Sequence, residues 1–315
     1  MKNIVNEETN NLIVDICERN NIKCKSIKKA DSGFTNIVHI VNDEYIIKII
    51  NVFTKPEKLQ KEISFYKNVK IDSIPQYVSS GKIDNKDYLI IKKLNGKSLY
   101  TIWHTLNEQK RKETIIQIAN ILNTFHKQKG DFLAEKFIQT DWVTKWQKSF
   151  DLNIRILKNK GFDTSFLEDF KNTRLTKIFK ENKPCLVHND AHFDNFLYDD
   201  GKIYIIDFDR VLYCSLDYEL MVISMMVDNP KKFASEITEK FVVNDEYGSI
   251  LDELKAHATE MFNFKYIDDR VFIYKFIYYL GQGYETHDDS WITTQLKNFR
   301  NHFGYYDKTE DFVKV

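Results

Sequence analysis

The amino-acid sequence predicts an α+β fold, with a small β-rich part over residues 1–95 and a larger, mainly helical part over 96–315. Three patterns lead there. Up to Gly96 the apolar residues recur with a period of two, as in strands. Beyond Gly96 the period becomes 3.6: Ile115, Ile118, Ala119, Leu122 and His126 share one helical face. One β-island, NFLYDDGKIYIIDFD at 195–209, interrupts the helical pattern.

The elements follow in order. Residues 11–19 fit an amphipathic helix. SIKKADSGFTNIVHIV and NDEYIIKIINV read as strand-forming runs around a polar turn at Asn42-Asp43. A helix over 56–69 accepts Pro56 in its first turn, where no intrahelical partner awaits its missing N–H. Strands are expected at 76–81 and 87–94, divided by Asp84-Asn85-Lys86, and the two parts join near 92–97. Helices fit 141–158 and 164–180. Asp200-Gly201 between alternating apolar runs is a two-residue hairpin signal, and from Leu216 the pattern is helical again.

With 315 residues, 43% of them hydrophobic, the chain is long enough for a large core. The formal charge is zero, which gives no basic field for nucleic acid. Its distribution is uneven: residues 211–315 carry a net −7 and the first 210 residues +7. An acidic C-terminal surface suits a cationic partner. Cys17, Cys24, Cys185 and Cys214 form no C-x-x-C pair, so a reducing compartment is expected rather than a zinc site or a disulfide framework. MKNIVNEETN is too polar for a signal peptide, and LMVISMMV at 220–227 is too short to span a bilayer. The expectation is a cytoplasmic protein, a monomer or weak homodimer, acting on a small molecule rather than on nucleic acid or membrane.

HNDAHFDN at 188–195 admits two chemistries. As a strand it would set His188, Asp190, His192 and Asp194 on one face, a metal-dependent hydrolase arrangement. As a loop its informative residues are His188, Asp190 and Asn195, the H-x-D-x-x-x-x-N spacing of phosphoryl-transfer enzymes. The remaining sequence favours the loop. Lys48 alternates in phase with Ile46 and Ile50 in YIIKII, and an ammonium among apolar neighbours needs an anion. Glu62 lies on the apolar stripe of the 56–69 helix, beside Leu59, Ile63 and Tyr66, and supplies one. In ADSGFTN at 30–36, Ser32 and Gly33 can offer backbone N–H groups to phosphate. Asp190 would orient or deprotonate an acceptor hydroxyl, while Asn195 and Asp207 would offer oxygens to Mg²⁺. Asp209 would share the side of Asp207 if the strand persists, as a second metal ligand or a solvated neighbour. The hydrolase reading finds no further clustered histidines, since His257, His287 and His302 are scattered.

VHNDAHFDNFLYDDGKIYIIDFD resembles the catalytic segment of the aminoglycoside phosphotransferase and choline kinase superfamily. YIIKII with KEISFY, LNGKSL around Gly96 and IANILNTFH extend the resemblance over residues 25–220. It implies a bilobal, protein-kinase-like fold with ATP or GTP in the cleft and Mg²⁺ as cofactor. The family's roles fall on Lys48, Glu62, Asp190, Asn195 and Asp207, and Asp217 resembles an acidic buttress of the catalytic loop, although a helix cap reads equally well. Asn189 stands where protein kinases carry arginine, D-F-D replaces D-F-G, and no A-P-E element follows, so a protein substrate is disfavoured. The expected reaction is phosphorylation of a hydroxyl on a small, cationic molecule, an aminoglycoside-type antibiotic in preference to choline or another amino alcohol. Asp268, Asp269, Glu285, Asp288 and Asp289, with Tyr274, Tyr278, Tyr284 and Trp291, are the C-terminal residues that could meet such an acceptor, or could equally be surface charge and packing.

Overall fold

The computed structural model describes residues 2–30, 36–50 and 55–305. Its elements begin with α1 (Lys2–Arg19), β1 (Ile27–Lys29), β2 (Asn36–Val41), β3 (Tyr45–Ile50), α2 (Pro56–Asn68), β4 (Tyr77–Ile83), β5 (Lys86–Lys92), β6 (Lys97–Ser98), α3 (Leu99–Trp103) and α4 (Glu108–His126). They continue with α5 (Trp142–Asn159), α6 (Ser165–Phe170), α7 (Thr176–Phe179), β7 (Pro184–Val187), β8 (Phe196–Asp199), β9 (Lys202–Ile205) and β10 (Leu212–Ser215). Last come α8 (Leu220–Asp228), α9 (Pro230–Phe233), α10 (Ile250–His257), α11 (Ile267–Glu285) and α12 (Asp289–Phe303). The chain forms two compact units, one of residues 1–138, 185–213 and 222–259, the other of 139–184, 214–221 and 260–315.

The first unit holds a five-stranded antiparallel sheet in the order β1-β2-β3-β5-β4. Its hairpins close on paired left-handed residues, Asn42 and Asp43 at φ 56° and 55°, then Asp84 and Asn85 at 47° and 60°. Asn and Asp tolerate that region because their short side chains bond locally, and such turns match the strand twist. Leu12, Ile13, Ile16 and Cys17 of α1 join one core cluster with Ile47, Ile49 and Ile90 of the sheet. The helix starts nine residues before the expected 11, because its polar first half carries no apolar period.

A second, three-stranded sheet of this unit orders β6-β8-β9. It joins the connector to the hairpin, with Lys97 opposite Tyr198 and Ser98 opposite Leu197. Gly96 permits that approach: a Cβ there would lie 2.8 Å from Cβ of Leu197 and 3.1 Å from the carbonyl oxygen of Tyr198. The hairpin turns on Asp200 and Gly201 at φ 44° and 88°, as its sequence requires.

The second unit is helical. The expected continuous helix over 164–180 is instead α6 and α7 joined by a π-helical turn at Lys171–Leu175. The wider turn fits the spacing of buried residues: Phe170 and Leu175 are five apart, and both are fully buried. Asp217 does not cap a helix. It centres a buried network, accepting from Arg270 Nε (2.6 Å) and Nη2 (2.8 Å), from Tyr274 Oη (2.6 Å) and from Ser215 Oγ (2.6 Å). Arg270 Nη1 also donates to the carbonyls of Ile178 (3.0 Å) and Glu181 (2.9 Å) at the end of α7. Neither charge of this pair reaches solvent, and removing one partner strands the other. Arg270→Met is expected to cost about 3–5 kcal/mol of stability, read as a fall in the denaturant midpoint. An unchanged midpoint would contradict this account of the network.

Candidate active site

Lys48 sits on β3, the middle strand of the five, opposite Val38 on one side and Leu89 on the other. Its side chain is nearly buried, and its Nζ donates to Glu62 Oε1 at 2.7 Å and to Asp207 Oδ1 at 2.9 Å. Glu62 reaches it from α2, where Leu59, Glu62, Phe65 and Tyr66 share the buried stripe. One ammonium therefore ties a strand, a helix and the segment after β9 together.

Phe208 fixes that segment. It is fully buried, stacked on Phe65 with ring centroids 3.9 Å apart, and edge-on to His188 at 4.9 Å. Asp207 itself adopts φ 66°, and Asn189 in the loop after β7 adopts 61°. Two hydrogen bonds join loop and segment: His188 Nε2 with the Ile206 carbonyl at 3.0 Å, and the Ile206 N–H to the Asn195 carbonyl at 3.0 Å. Residues 188–192 are not a strand, so the alternating His and Asp residues share no face. Among the described residues no three His, Cys, Asp or Glu side chains converge to hold a metal ion. The hydrolase arrangement is thus absent from them.

Asp190 and Asn195 are adjacent. Asn195 Nδ2 donates to the Asp190 carbonyl at 2.8 Å and lies 3.2 Å from Asp190 Oδ2. The nitrogen of the amide is thereby spent inside the loop, and the oxygen is the end left for a cation. Asp207 keeps a side chain 39% exposed while one of its oxygens faces Lys48. An amide oxygen and a carboxylate oxygen are hard ligands. They fit Mg²⁺, which retains several waters, better than zinc, which takes a closed set of His or Cys. Ser32 and Gly33 lie outside the described residues.

Arg210, Lys58 and Lys61 were not singled out from the sequence, and His192 and Asp209 take up contacts other than those expected of them. Arg210 Nη1 lies 3.5 Å from Asp190 Oδ1, and His192 Nε2 lies 3.7 Å from Oδ2. Asp209 is neither a strand neighbour of Asp207 nor solvated; it is buried, 3.7 Å from Lys58 Nζ on α2. Lys61, one turn further along, places its ammonium 4.4 Å from the Phe137 ring centroid. Burial holds that amine down, to about 8. The only sequence signal for these cations was their position next to residues already chosen.

The carboxyls are split by environment. Glu62 is pushed up to about 7 by burial, which the Lys48 charge only partly offsets. Asp207 is also penalised by burial, but the Lys48 charge and hydrogen bond hold it below the ordinary carboxyl range. Asp209 is raised by burial and by the Asp207 charge. Asp190 is lowered to about 2: burial opposes its ionisation, and His192, Arg210 and His188 override that. Burial also weighs against the Lys48 ammonium, yet Asp207 and Glu62 keep it well above its usual value.

Residues 26–245, more than half of the chain, match the profile of the phosphotransferase enzyme family. Solved structures share the fold. A streptomycin–ATP ternary complex of the aminoglycoside phosphotransferase APH(2")-IIa aligns over 90% of this chain and 95% of its own, at 17% identity and a TM-score of 0.66. ADP-bound APH(2'')-Ib aligns over 91% and 95%, at 19% identity and 0.63. A choline/ethanolamine kinase family protein from Mesorhizobium loti aligns over 87% and 86%, at 12% identity and 0.54. The α+β, kinase-like class expected from the sequence is the class of this structure.

Glu62 makes the charge split measurable. Burial pushes its folded carboxyl up from the ordinary 4.5 to about 7. The folded protein therefore retains a proton that the unfolded chain releases, and this stabilising contribution is full below 4.5 and lost as the pH climbs through 7. Glu62→Gln has no such loss. The stability of wild type relative to Glu62→Gln should decline from pH 4.5 to pH 7.5 in paired denaturant titrations. A difference that stays constant would refute the assignment.

Proposed function

As a member of the phosphotransferase enzyme family, the chain is a small-molecule kinase, and we propose that it transfers the terminal phosphoryl group of ATP or GTP to a hydroxyl of a small cationic acceptor of the aminoglycoside type. The observation that carries this reading is Lys48 held between Glu62 and Asp207, with the Asp190–Asn195 pair hydrogen-bonded to the same segment. Phosphoryl transfer needs little covalent chemistry from the protein; it needs charge and position.

In this mechanism Lys48 binds phosphate oxygens, and Glu62 keeps the ammonium aimed. Asn195 and Asp207 are the residues that would hold magnesium, which when bound supplies charge neutralisation to the phosphate oxygens. Asp190 accepts a hydrogen bond from the acceptor hydroxyl. At about 2 its carboxylate is a weak base, so it orients the hydroxyl first and takes the proton late, when the oxygen has become acidic.

The acceptor class rests on two supports. A protein of similar fold binds streptomycin together with ATP. In the second unit, moreover, the aromatic groups that would suit choline are engaged. Tyr274 donates to Asp217, Tyr284 to Asn153, and the Trp291 indole to the Tyr279 carbonyl. Lys145 already lies 4.0 Å from the Trp146 ring centroid and 6.0 Å from that of Tyr218. The polar groups of Tyr274, Tyr284 and Trp291 are thus committed to the protein's own hydrogen bonds, and the Trp146 face is taken by Lys145. Some acidic candidates are engaged too: Asp288 caps α12, Asp289 pairs with Lys160 and Asp269 with His302. Asp268 and Glu285 remain exposed.

Asp190→Ala is expected to lower kcat by about 10²–10⁴ while nucleotide affinity holds, measured by steady-state turnover and nucleotide titration. Full activity in that variant would remove Asp190 from the mechanism. Nucleotide consumption across aminoglycosides, macrolides, choline, amino alcohols and sugars tests the acceptor. Turnover restricted to anionic or neutral compounds would exclude the cationic class.

A further inference from the structure

Asp194 does something that the proposed transfer chemistry does not use. Its Oδ1 accepts from Ser98 Oγ at 2.6 Å; its Oδ2 accepts from the Ser235 N–H at 2.8 Å and from Thr238 Oγ1 at 2.9 Å. The Ser235 and Thr238 hydroxyls lie 2.9 Å apart. Thr238 has a single hydroxyl proton and gives it to Asp194, so Ser235 Oγ donates in turn to Thr238. All three donors to the carboxylate are uncharged, and the bonds join three segments distant in sequence: the end of β6, the turn at 235–238, and Asp194's own 3₁₀ turn at Phe193–Asn195.

The residue before Asp194 is fixed in a different way. Phe193 is buried among Trp103, Tyr100 and Tyr247, with ring centroids at 4.9, 5.5 and 5.5 Å. The residue after it is Asn195. A short turn clamped by apolar contacts at its first residue and by three hydrogen bonds at its second has little freedom left at its third. The segment leading to Ser235 also reaches the other end of the loop, where the Phe233 ring lies 6.2 Å from that of His192, next to Asp190.

We propose that Asp194 is a positioning residue: its three hydrogen bonds fix the direction of the Asn195 amide, and through it the affinity of the site for a divalent cation. This rests on the reading of Asn195 as a cation ligand, and the experiment separates the two. Mn²⁺ serves as the probe, titrated by electron paramagnetic resonance into the full-length protein with a non-hydrolysable ATP analogue.

Asn195→Ala should weaken Mn²⁺ binding; if it does not, the reading of Asn195 fails and the proposal falls with it. Given that weakening, Asp194→Ala should raise the Mn²⁺ dissociation constant about tenfold and lower kcat by up to about 10²-fold, since small misplacements in such sites are that costly. Nucleotide affinity in EDTA should not change, because Lys48 and Glu62 lie on other elements. Asp194→Asn should restore most of the Mn²⁺ affinity: its amide oxygen can accept from Ser235 and Thr238, while the Ser98 hydroxyl rotates to accept from its NH₂. Wild-type Mn²⁺ affinity in Asp194→Ala overturns the proposal, as does equal impairment of the Asn and Ala variants. Should Asp194→Ala fail to fold, the Ser98→Ala/Thr238→Val double variant removes two of the three donors and must weaken Mn²⁺ binding; unchanged binding there also overturns it.

Discussion

The Lys48 ammonium is the constraint around which the candidate site is arranged. A cation in the central strand of a sheet, facing apolar neighbours, is stable only with anions brought to it. Glu62 comes from the buried stripe of α2, and Asp207 comes from the chain 159 residues later. Each carboxylate pairs with the ammonium directly, Glu62 at 2.7 Å and Asp207 at 2.9 Å. The helix, the strand and the loop therefore share one register, and Phe208 stacked on Phe65 makes the same connection in apolar form. Position and electrostatics are set together at this one side chain.

That arrangement also explains why four acidic side chains in one small region behave differently. Two carboxylates compete for one ammonium. Glu62, fully buried with Oε2 lacking a hydrogen-bond partner, ionises less readily than an ordinary carboxyl, whereas the more open Asp207 ionises more readily. Asp209 lies between Asp207 and the lysines of α2 and is raised. Asp190 stands apart, drawn down by His192 and Arg210. Groups of one chemical type thus acquire separate roles from burial and neighbours alone. The two held lowest, Asp190 and Asp207, are the ones proposed to meet the acceptor hydroxyl and a cation.

Much of this was legible in the amino-acid sequence, for identifiable reasons. Strands and hairpins announced themselves because Asn42-Asp43, Asp84-Asn85 and Asp200-Gly201 sit between alternating apolar runs. Lys48 and Glu62 stood out because each breaks an apolar pattern, and a charge in such a pattern implies a partner. Asp194, Arg210 and Lys61 break no pattern. The partners of Asp194 are uncharged residues 41, 44 and 96 positions away, and no local period encodes such a contact. The burial of Asp209 was missed because the strand ends before it, and the π turn in the second unit because a five-residue apolar spacing blends into a helical one. The acidic and aromatic residues of the C-terminal helices read as an acceptor surface, yet packing has claimed many of them: a tyrosine suits a buried hydrogen-bonded network such as that around Asp217 as readily as a binding site.

Two residues of the site, Asn189 and Asp207, are left-handed, and both stand where direction matters. Asn189 immediately precedes Asp190, and Asp207 is itself the proposed ligand. A non-glycine residue at positive φ costs free energy, least for Asn and Asp, and persists only where its surroundings fix it. Here they do. His188 and Asn195 bond to Ile206 from the loop side, and Phe208 locks the far side. Alternation in a strand would have sent Asp190 and Asp207 to directions dictated by the pleat. The left-handed turns release both from it and aim them independently of the strands that lead to them. The sheet supplies rigidity and the turns supply direction, so the two carboxylates are aimed independently although they follow separate strands.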